Sequence, residues 1–150
     1  MFKKEIIIYF GFFYPIFCFG QNVDIKLSCQ LTLTKRYNFG AVERETVKEI
    51  LEVYQNDSFL SIIPSSDSGA LGSVSTKNHP NTILIKNESN QNKWHLNNIF
   101  RSQSGGESET AITIDRNSGS IFYFRSFDSG SLVTNGQGQC QKIDTSKRLF

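Results

Sequence analysis

Residues 23–34, VDIKLSCQLTLT, alternate apolar and polar side chains without a break. A period of two is typical of a β-strand with one face in a protein core and the other in solvent. The alternation puts Cys29 on the inward face, in line with Leu27 and Leu31. This stretch therefore predicts a long, half-buried strand near the start of a β domain.

Short β patterns follow it, separated by polar turns. We expect strands over 59–63, near 71–74, and over 82–86, 93–100, 110–115 and 120–127. The clearest hairpin turn is Arg116-Asn117-Ser118-Gly119, in which Gly119 is free to take a positive φ. At the end we expect a strand over 132–134, a turn at Asn135-Gly136, and a last strand over 137–143 that carries Cys140. Gly136-Gln137-Gly138 indicates a turn or bulge rather than a phosphate-binding loop.

Residues 43–54 fit two patterns. Their apolar side chains would share one face of a helix, whereas Val47, Leu51 and Val53 would share one face of a strand. The polar sequence 55–58 is a good turn into the next strand. We favour a hairpin, because the surrounding segments are β.

The predicted fold class is all-β. Seven to eight strands joined by polar turns, in a chain with 13 Phe, fit a single small antiparallel β-barrel or β-sandwich over residues 21–150. The sequence leaves barrel and sandwich open.

The first twenty residues have the pattern of a secretory signal peptide. Lys3 and Lys4 form a basic start, 6–19 is mainly apolar, and Cys18-Phe19-Gly20 offers small residues before a cleavage point. The apolar run is shorter than the roughly 20 residues of a spanning helix, which disfavours an uncleaved anchor. We expect export to the periplasm or the medium, with membrane contact only through this segment before cleavage.

Two of the three cysteines, Cys29 and Cys140, remain after cleavage. An even pair in an oxidising compartment predicts one disulfide, two separate thiols being the alternative. The bond would join the first strand to the last, with Cα atoms about 4.4 to 6.8 Å apart.

Charge is nearly balanced. The chain has 16 Lys and Arg against 14 Asp and Glu, and the leader removes Lys3, Lys4 and Glu5. A nucleic-acid or acidic-membrane partner would need a basic patch, so we expect neither.

The sequence offers no convincing catalytic, cofactor or metal site. Asp-Ser-Gly occurs at 67–69 and 128–130, but these residues are also common in turns. His79 and His95, the two histidines, lie in a loop and on an outward strand face. We therefore predict no enzyme activity and no cofactor.

One resemblance covers about a quarter of the chain. Cys29, then Ile114-Asp115-Arg116-Asn117-Ser118-Gly119, then Gly138-Gln139-Cys140 resembles small exported bacterial proteins of unknown function. That group has an early cysteine, a late I-[ND]-R-x-[ST]-G hairpin and a closing G-x-C. The resemblance implies export, a compact β fold and a first-to-last disulfide. In the turn, Arg116 is expected to brace the hairpin against a carboxylate such as Asp115 or Asp128, and Gly119 to permit the bend.

These observations favour a non-enzymatic exported domain that binds a protein partner or a small apolar ligand. A structural envelope protein is the alternative, and a hydrolase without a recognisable motif is less favoured. Phe122-Tyr123-Phe124 with Phe127 could line a ligand cavity or fill a core. A lumen of several hundred Å³ would favour an internal ligand, and a filled core would favour a partner surface.

Mass spectrometry of the protein exported by its native host is expected to show a chain that starts at Gln21 and is two hydrogens lighter than its reduced form. A mature mass that includes residues 1–20 would contradict the signal-peptide prediction.

Overall fold

The computed structural model describes residues 25–65 and 69–144, and this part of the chain is all-β. The predicted signal peptide lies outside these residues. The described residues form nine strands rather than the seven to eight expected, together with a 3-10 turn at Asp128–Gly130. The strands are β1 Ile25–Tyr37, β2 Val42–Gln55, β3 Leu60–Pro64, β4 Val74–Ser75, β5 Thr82–Asn87, β6 Lys93–Arg101, β7 Glu107–Asp115, β8 Ser120–Phe127 and β9 Leu132–Lys142.

All nine strands belong to one antiparallel sheet in the order β4-β3-β2-β1-β9-β8-β7-β6-β5. Each strand except β1 and β9 neighbours only those adjacent to it in the chain, and the first and last strands pair with each other in the middle. The sheet coils into a nearly closed barrel, which decides between the barrel and the sandwich.

Strand β2 resolves the ambiguity at residues 43–54 in favour of the hairpin. It pairs with β1 along its length and with β3 at its end. The Asn56 side-chain oxygen accepts the N–H groups of Ser58 at 2.8 Å and Phe59 at 2.9 Å, which closes the turn between β2 and β3. Strand pairing has therefore overridden the helical pattern of this segment.

Cys29 and Cys140 are direct partners across β1 and β9, with their sulfur atoms 2.09 Å apart. The expected pairing is confirmed. Their Cα separation of 4.0 Å is shorter than the expected range. The Cys140 N–H donates away from β1, to the Gly119 carbonyl at 2.8 Å, so the two cysteines form a non-hydrogen-bonded pair, in which opposed Cα atoms approach most closely.

The turn expected at Asn135-Gly136 is wrong, because β9 runs without interruption through both residues. The inward positions Gly136 and Gly138 do not form a bulge either. A Cβ on Gly138 would collide with the Gln30 carbonyl of β1, and one on Gly136 would lie 2.6 Å from a Leu33 methyl carbon. These glycines let β9 approach β1 closely. Besides a bulge, close approach of another backbone is a common reason for a glycine inside a strand.

Buried apolar side chains pack together inside the barrel. Leu71, from the loop before β4, is buried there, and the neighbouring Gly72 N–H donates to the Tyr123 hydroxyl at 2.9 Å. Burial of so much apolar surface is the main stabilising contribution to a domain of this size. The other buried apolar residues of the core are Leu27, Leu31, Leu33, Leu51, Val53, Leu60, Ile62, Val74, Trp94, Leu96, Ile112, Ile114 and Ile121.

Two side chains of β6 connect the two halves of the sheet, Asn98 to β4 and Trp94 to the end of β2. Asn98, 1% exposed, accepts the Ser75 N–H at 2.7 Å and donates to the Ser75 carbonyl at 2.9 Å. Trp94 donates its indole N–H to the Gln55 side chain at 2.9 Å. The Asn98 amide thus acts as a strand partner for the short β4 and holds that end of the sheet against β6.

Replacing Asn98 should destabilise the fold. Asn98→Ala leaves the Ser75 N–H and carbonyl without these partners, and we expect a loss of about 2 to 4 kcal/mol in the free energy of unfolding. Asn135→Ala, at an exposed asparagine on β9, is the matched control and should change it by less than about 0.5 kcal/mol. Equal losses of stability for the two variants in urea denaturation would contradict the conclusion that Asn98 holds β4 against β6.

The disulfide should stabilise the fold without serving a chemical reaction. The bond closes a loop across a sequence separation of 111 residues, so replacing both cysteines by alanine should cost about 2 to 5 kcal/mol. Equilibrium denaturation of the double variant is the measurement. Unchanged stability would refute the assignment of a structural role.

Candidate binding face on the outer side of the sheet

The aromatic run of β8 is divided between the two faces of the sheet. Tyr123 points into the core, where burial raises the pKa of its hydroxyl. Phe122 and Phe124 point outward, and 57% of the Phe122 surface is exposed. The run therefore does not line an internal cavity as a unit: its middle member fills the core, and its outer members contribute to a surface.

That surface is a hollow of about 640 Å³ on the outer face of β1, β9, β8, β7 and β6, with part of β2 at one end. We call it the outer hollow. It is lined by Thr32, Thr34, Arg36, Arg44, His95, Ala111, Thr113, Phe122, Tyr123, Phe124, Asn135, Gly136 and Gln137.

Strand register arranges most of these residues in two rows that run across the strands. Opposed residues place Thr32, Gln137, Phe122, Thr113 and His95 in one row. Five strands spaced by about 4.8 Å make this row roughly 20 Å long. The next row is Arg44, Thr34, Asn135, Phe124 and Ala111.

The outer hollow combines an aromatic centre with neutral hydrogen-bonding groups. Phe122 lies between Gln137 and Thr113 in its row, and Phe124 lies beside Asn135. Amides and hydroxyls can each donate and accept. The centre of the hollow can thus contact an apolar surface and hydrogen-bond at its edges.

One end of the outer hollow is cationic. Arg36 and Arg44 are exposed on the outer face of the β1–β2 hairpin. In the described part of the chain, neither arginine has a carboxylate within salt-bridge distance. Two like charges on one strand pair repel each other, so this end attracts an anion.

Two acidic residues next to Arg44 in the same hairpin, Glu43 and Glu45, lie on its other face. Glu45 is 2.6 Å from the Lys35 ammonium, whose pKa this hydrogen bond raises. Glu43 accepts the Tyr37 hydroxyl at 3.1 Å. Strand alternation therefore places Glu43 and Glu45 on one face of the hairpin and both arginines on the other.

Carboxylates elsewhere on the outer face already have partners. Glu52 is 2.8 Å from Lys26, and Glu88 is 2.8 Å from Lys86. Glu109 accepts the Asn97 amide at 2.8 Å. At the far end of the outer hollow, His95 Nδ1 lies 2.7 Å from the Thr113 hydroxyl, and His95 Nε2 lies 3.8 Å from Glu88.

The residues selected from the sequence lie elsewhere. Gly119 has φ +75° and closes the β7–β8 turn, with its N–H donating to the Asp115 carbonyl at 2.9 Å. The Asp115 carboxylate accepts the N–H groups of Ser118 at 2.7 Å and Asn117 at 2.9 Å, and these bonds lower its pKa. The Arg116 guanidinium stacks over the Trp94 ring at 4.8 Å. Cys29 and Cys140 are buried in the core.

Of the two Asp-Ser-Gly copies, Asp67 and Ser68 lie outside the described residues, and the second copy forms the 3-10 turn after β8. Within residues 25–65 and 69–144, no cluster of three or more His, Cys, Asp or Glu could hold a metal ion. The same residues include no helix with the length and apolarity needed to cross a membrane.

Comparisons with protein-family models, with curated proteins and with solved structures find no match for this chain.

The outer hollow was not predicted from the sequence, although the sequence contains part of the pattern that forms it. Once the 116–119 turn fixes the β7–β8 register, the outward position of Phe122 opposite Thr113 follows. The contributions of β1 and β9 depend on their long-range pairing, which no local turn determines.

Phe122 should be dispensable for folding, whereas its neighbour Tyr123 should not. Phe122→Ala removes a largely exposed ring and is expected to change the free energy of unfolding by less than about 0.5 kcal/mol. Tyr123→Ala removes a buried ring and should cost about 3 to 5 kcal/mol. Urea denaturation of both variants tests this, and a large loss in the Phe122 variant would mean that this ring serves the fold.

Proposed function

We propose that the mature chain is an exported, non-enzymatic domain that binds a macromolecule of its surroundings at the outer hollow. The observation that carries the proposal is the exposed Phe122, set in the middle of a five-strand row of hydroxyl, amide and imidazole side chains. An exposed aromatic ring in a concave, polar surface is typical of a recognition site. An apolar ligand inside the barrel is disfavoured, because core side chains and the loop carrying Leu71 occupy that space.

The chemistry of the lining supports binding rather than catalysis. Amides, threonine hydroxyls and guanidinium groups hydrogen-bond without gaining or losing a proton near neutral pH. The imidazole of His95 is in contact with Thr113 and Glu88 at the edge of the row. Such a set of groups orients a ligand and leaves its covalent bonds intact.

Export is supported by the disulfide and by the leader pattern. A structural disulfide persists in an oxidising compartment and not in a reducing cytosol. The Cys29–Cys140 bond connects β1 and β9, two of the strands that form the outer hollow. The same bond that suits the chain to an oxidising compartment therefore also cross-links two strands of this face.

The proposal can be tested by capture from an envelope extract of the organism that encodes the chain. Immobilised residues 21–150 should retain material that the Phe122→Ala variant does not retain. Phe39→Ala is the matched control, because Phe39 is 76% exposed but lies in the β1–β2 turn outside the outer hollow. The control should retain as much as the unmodified chain.

Two results would contradict the proposal. Equal retention by the Phe122 variant would place binding elsewhere or show that it is absent. Fragmentation of the retained material during incubation, measured by size-exclusion chromatography, would contradict the proposal that the domain is not an enzyme.

A further inference from the structure

We infer that the outer hollow recognises an acidic glycan, that is, a chain of sugar rings that carry carboxylates. The inference rests on the proposed function and names the class of ligand for the same site. Phe122 would stack against the C–H face of one ring, the neighbouring amides and hydroxyls would bind ring hydroxyls, and Arg36 with Arg44 would bind a carboxylate.

Charge complementarity identifies the ligand as an anion. Arg36 and Arg44 lie on the outer face of the hairpin, whereas the neighbouring Glu43 and Glu45 are bonded to Tyr37 and Lys35 on the other face. Glu52, on the outer face of β2, is paired with Lys26. A guanidinium binds a carboxylate through two parallel hydrogen bonds, which gives direction as well as attraction. An anionic ligand would relieve the repulsion between the two arginines.

The centre of the outer hollow fits a sugar ring. A pyranose ring presents C–H bonds on its faces and hydroxyls around its edge, and an aromatic ring attracts the C–H bonds through the negative potential of its face. Around Phe122, the side chains of Gln137, Asn135 and Thr113 can donate hydrogen bonds to sugar hydroxyls and accept hydrogen bonds from them. An apolar protein surface would leave these polar groups without partners on binding, which disfavours it.

The dimensions fit an oligomer. The volume of about 640 Å³ lies within the range of about 300 to 1,000 Å³ for ligand sites, and the row of roughly 20 Å admits several sugar rings in line. The outer hollow has two different ends, a cationic one at β1–β2 and one at which His95 lies near Glu88. A ligand can therefore bind in a defined direction. A carboxylated ring is therefore placed at the arginines and an uncarboxylated one near His95.

Nucleic acid is a poorer occupant. Binding to a phosphate backbone needs cations along its whole path. Here the cations lie at one end, and the net charge of the chain is only +2.

The test uses the mature chain with three polyuronates (polygalacturonate, alginate and hyaluronate), neutral dextran and polyglutamate, in isothermal titration calorimetry at low and physiological salt. We expect at least one polyuronate to bind, and dextran and polyglutamate to bind more weakly by about tenfold or more. Affinity for the polyuronate should fall as salt is raised.

Variants separate the two contributions. Arg36→Gln with Arg44→Gln should lower polyuronate affinity by about tenfold or more and reduce its salt dependence. Phe122→Ala should lower it at every salt concentration. The matched control, Arg101→Gln with Arg116→Gln, removes the same charge outside the outer hollow and should bind as the unmodified chain does. Thermal unfolding midpoints show whether each variant is folded.

The outcomes distinguish the inference from the proposed function. Binding of polyglutamate as tightly as the polyuronates would overturn the glycan assignment in favour of an acidic protein. Failure of all three polyuronates, with Phe122-dependent capture from the extract intact, overturns the glycan and leaves the binding function standing. Loss of Phe122-dependent capture as well overturns both.

Discussion

The pairing of the first strand with the last is the contact on which this fold depends. β1 and β9 lie in the middle of the sheet order. One half of the sheet continues from β1 through β2 to β4, and the other continues from β9 through β8 to β5. Such a long-range pairing is costly in chain entropy, and the disulfide removes part of that cost from the unfolded state. A side chain at Gly136 or Gly138 would collide with β1, so these glycines let the backbones of β1 and β9 approach closely enough for the disulfide. The bond and the glycines therefore act on the same contact.

The opposite side of the barrel closes by a different physical means. β4 has two residues and could not complete the sheet by a backbone ladder alone. The buried Asn98 amide supplies one donor and one acceptor to Ser75, as a strand neighbour would, while Leu71 and Val74 add apolar contact. A buried polar side chain is stable here because both of its hydrogen-bonding groups are satisfied.

Local patterns in the sequence were enough to predict the strands, and long-range contacts explain where the prediction failed. Alternation identified β1, and the positive φ of Gly119 followed from its turn. Asn135-Gly136 is a strong turn signal by composition, yet the glycine is required there by the proximity of Leu33 on β1. The bonds of Asn98 to Ser75 join residues 23 apart, so no turn rule could predict them.

The outer hollow follows from the same constraint that forms the core. Because alternation and register are linked, fixing Leu31, Tyr123 and Ile112 inward places Thr32, Phe122 and Thr113 outward in line across their strands. The core therefore determines where the outer row lies, but it does not determine the residue types of that row. An outward phenylalanine among amides and hydroxyls contributes little to packing. Its position on β8, a strand paired on both sides, is what a preorganised binding surface requires.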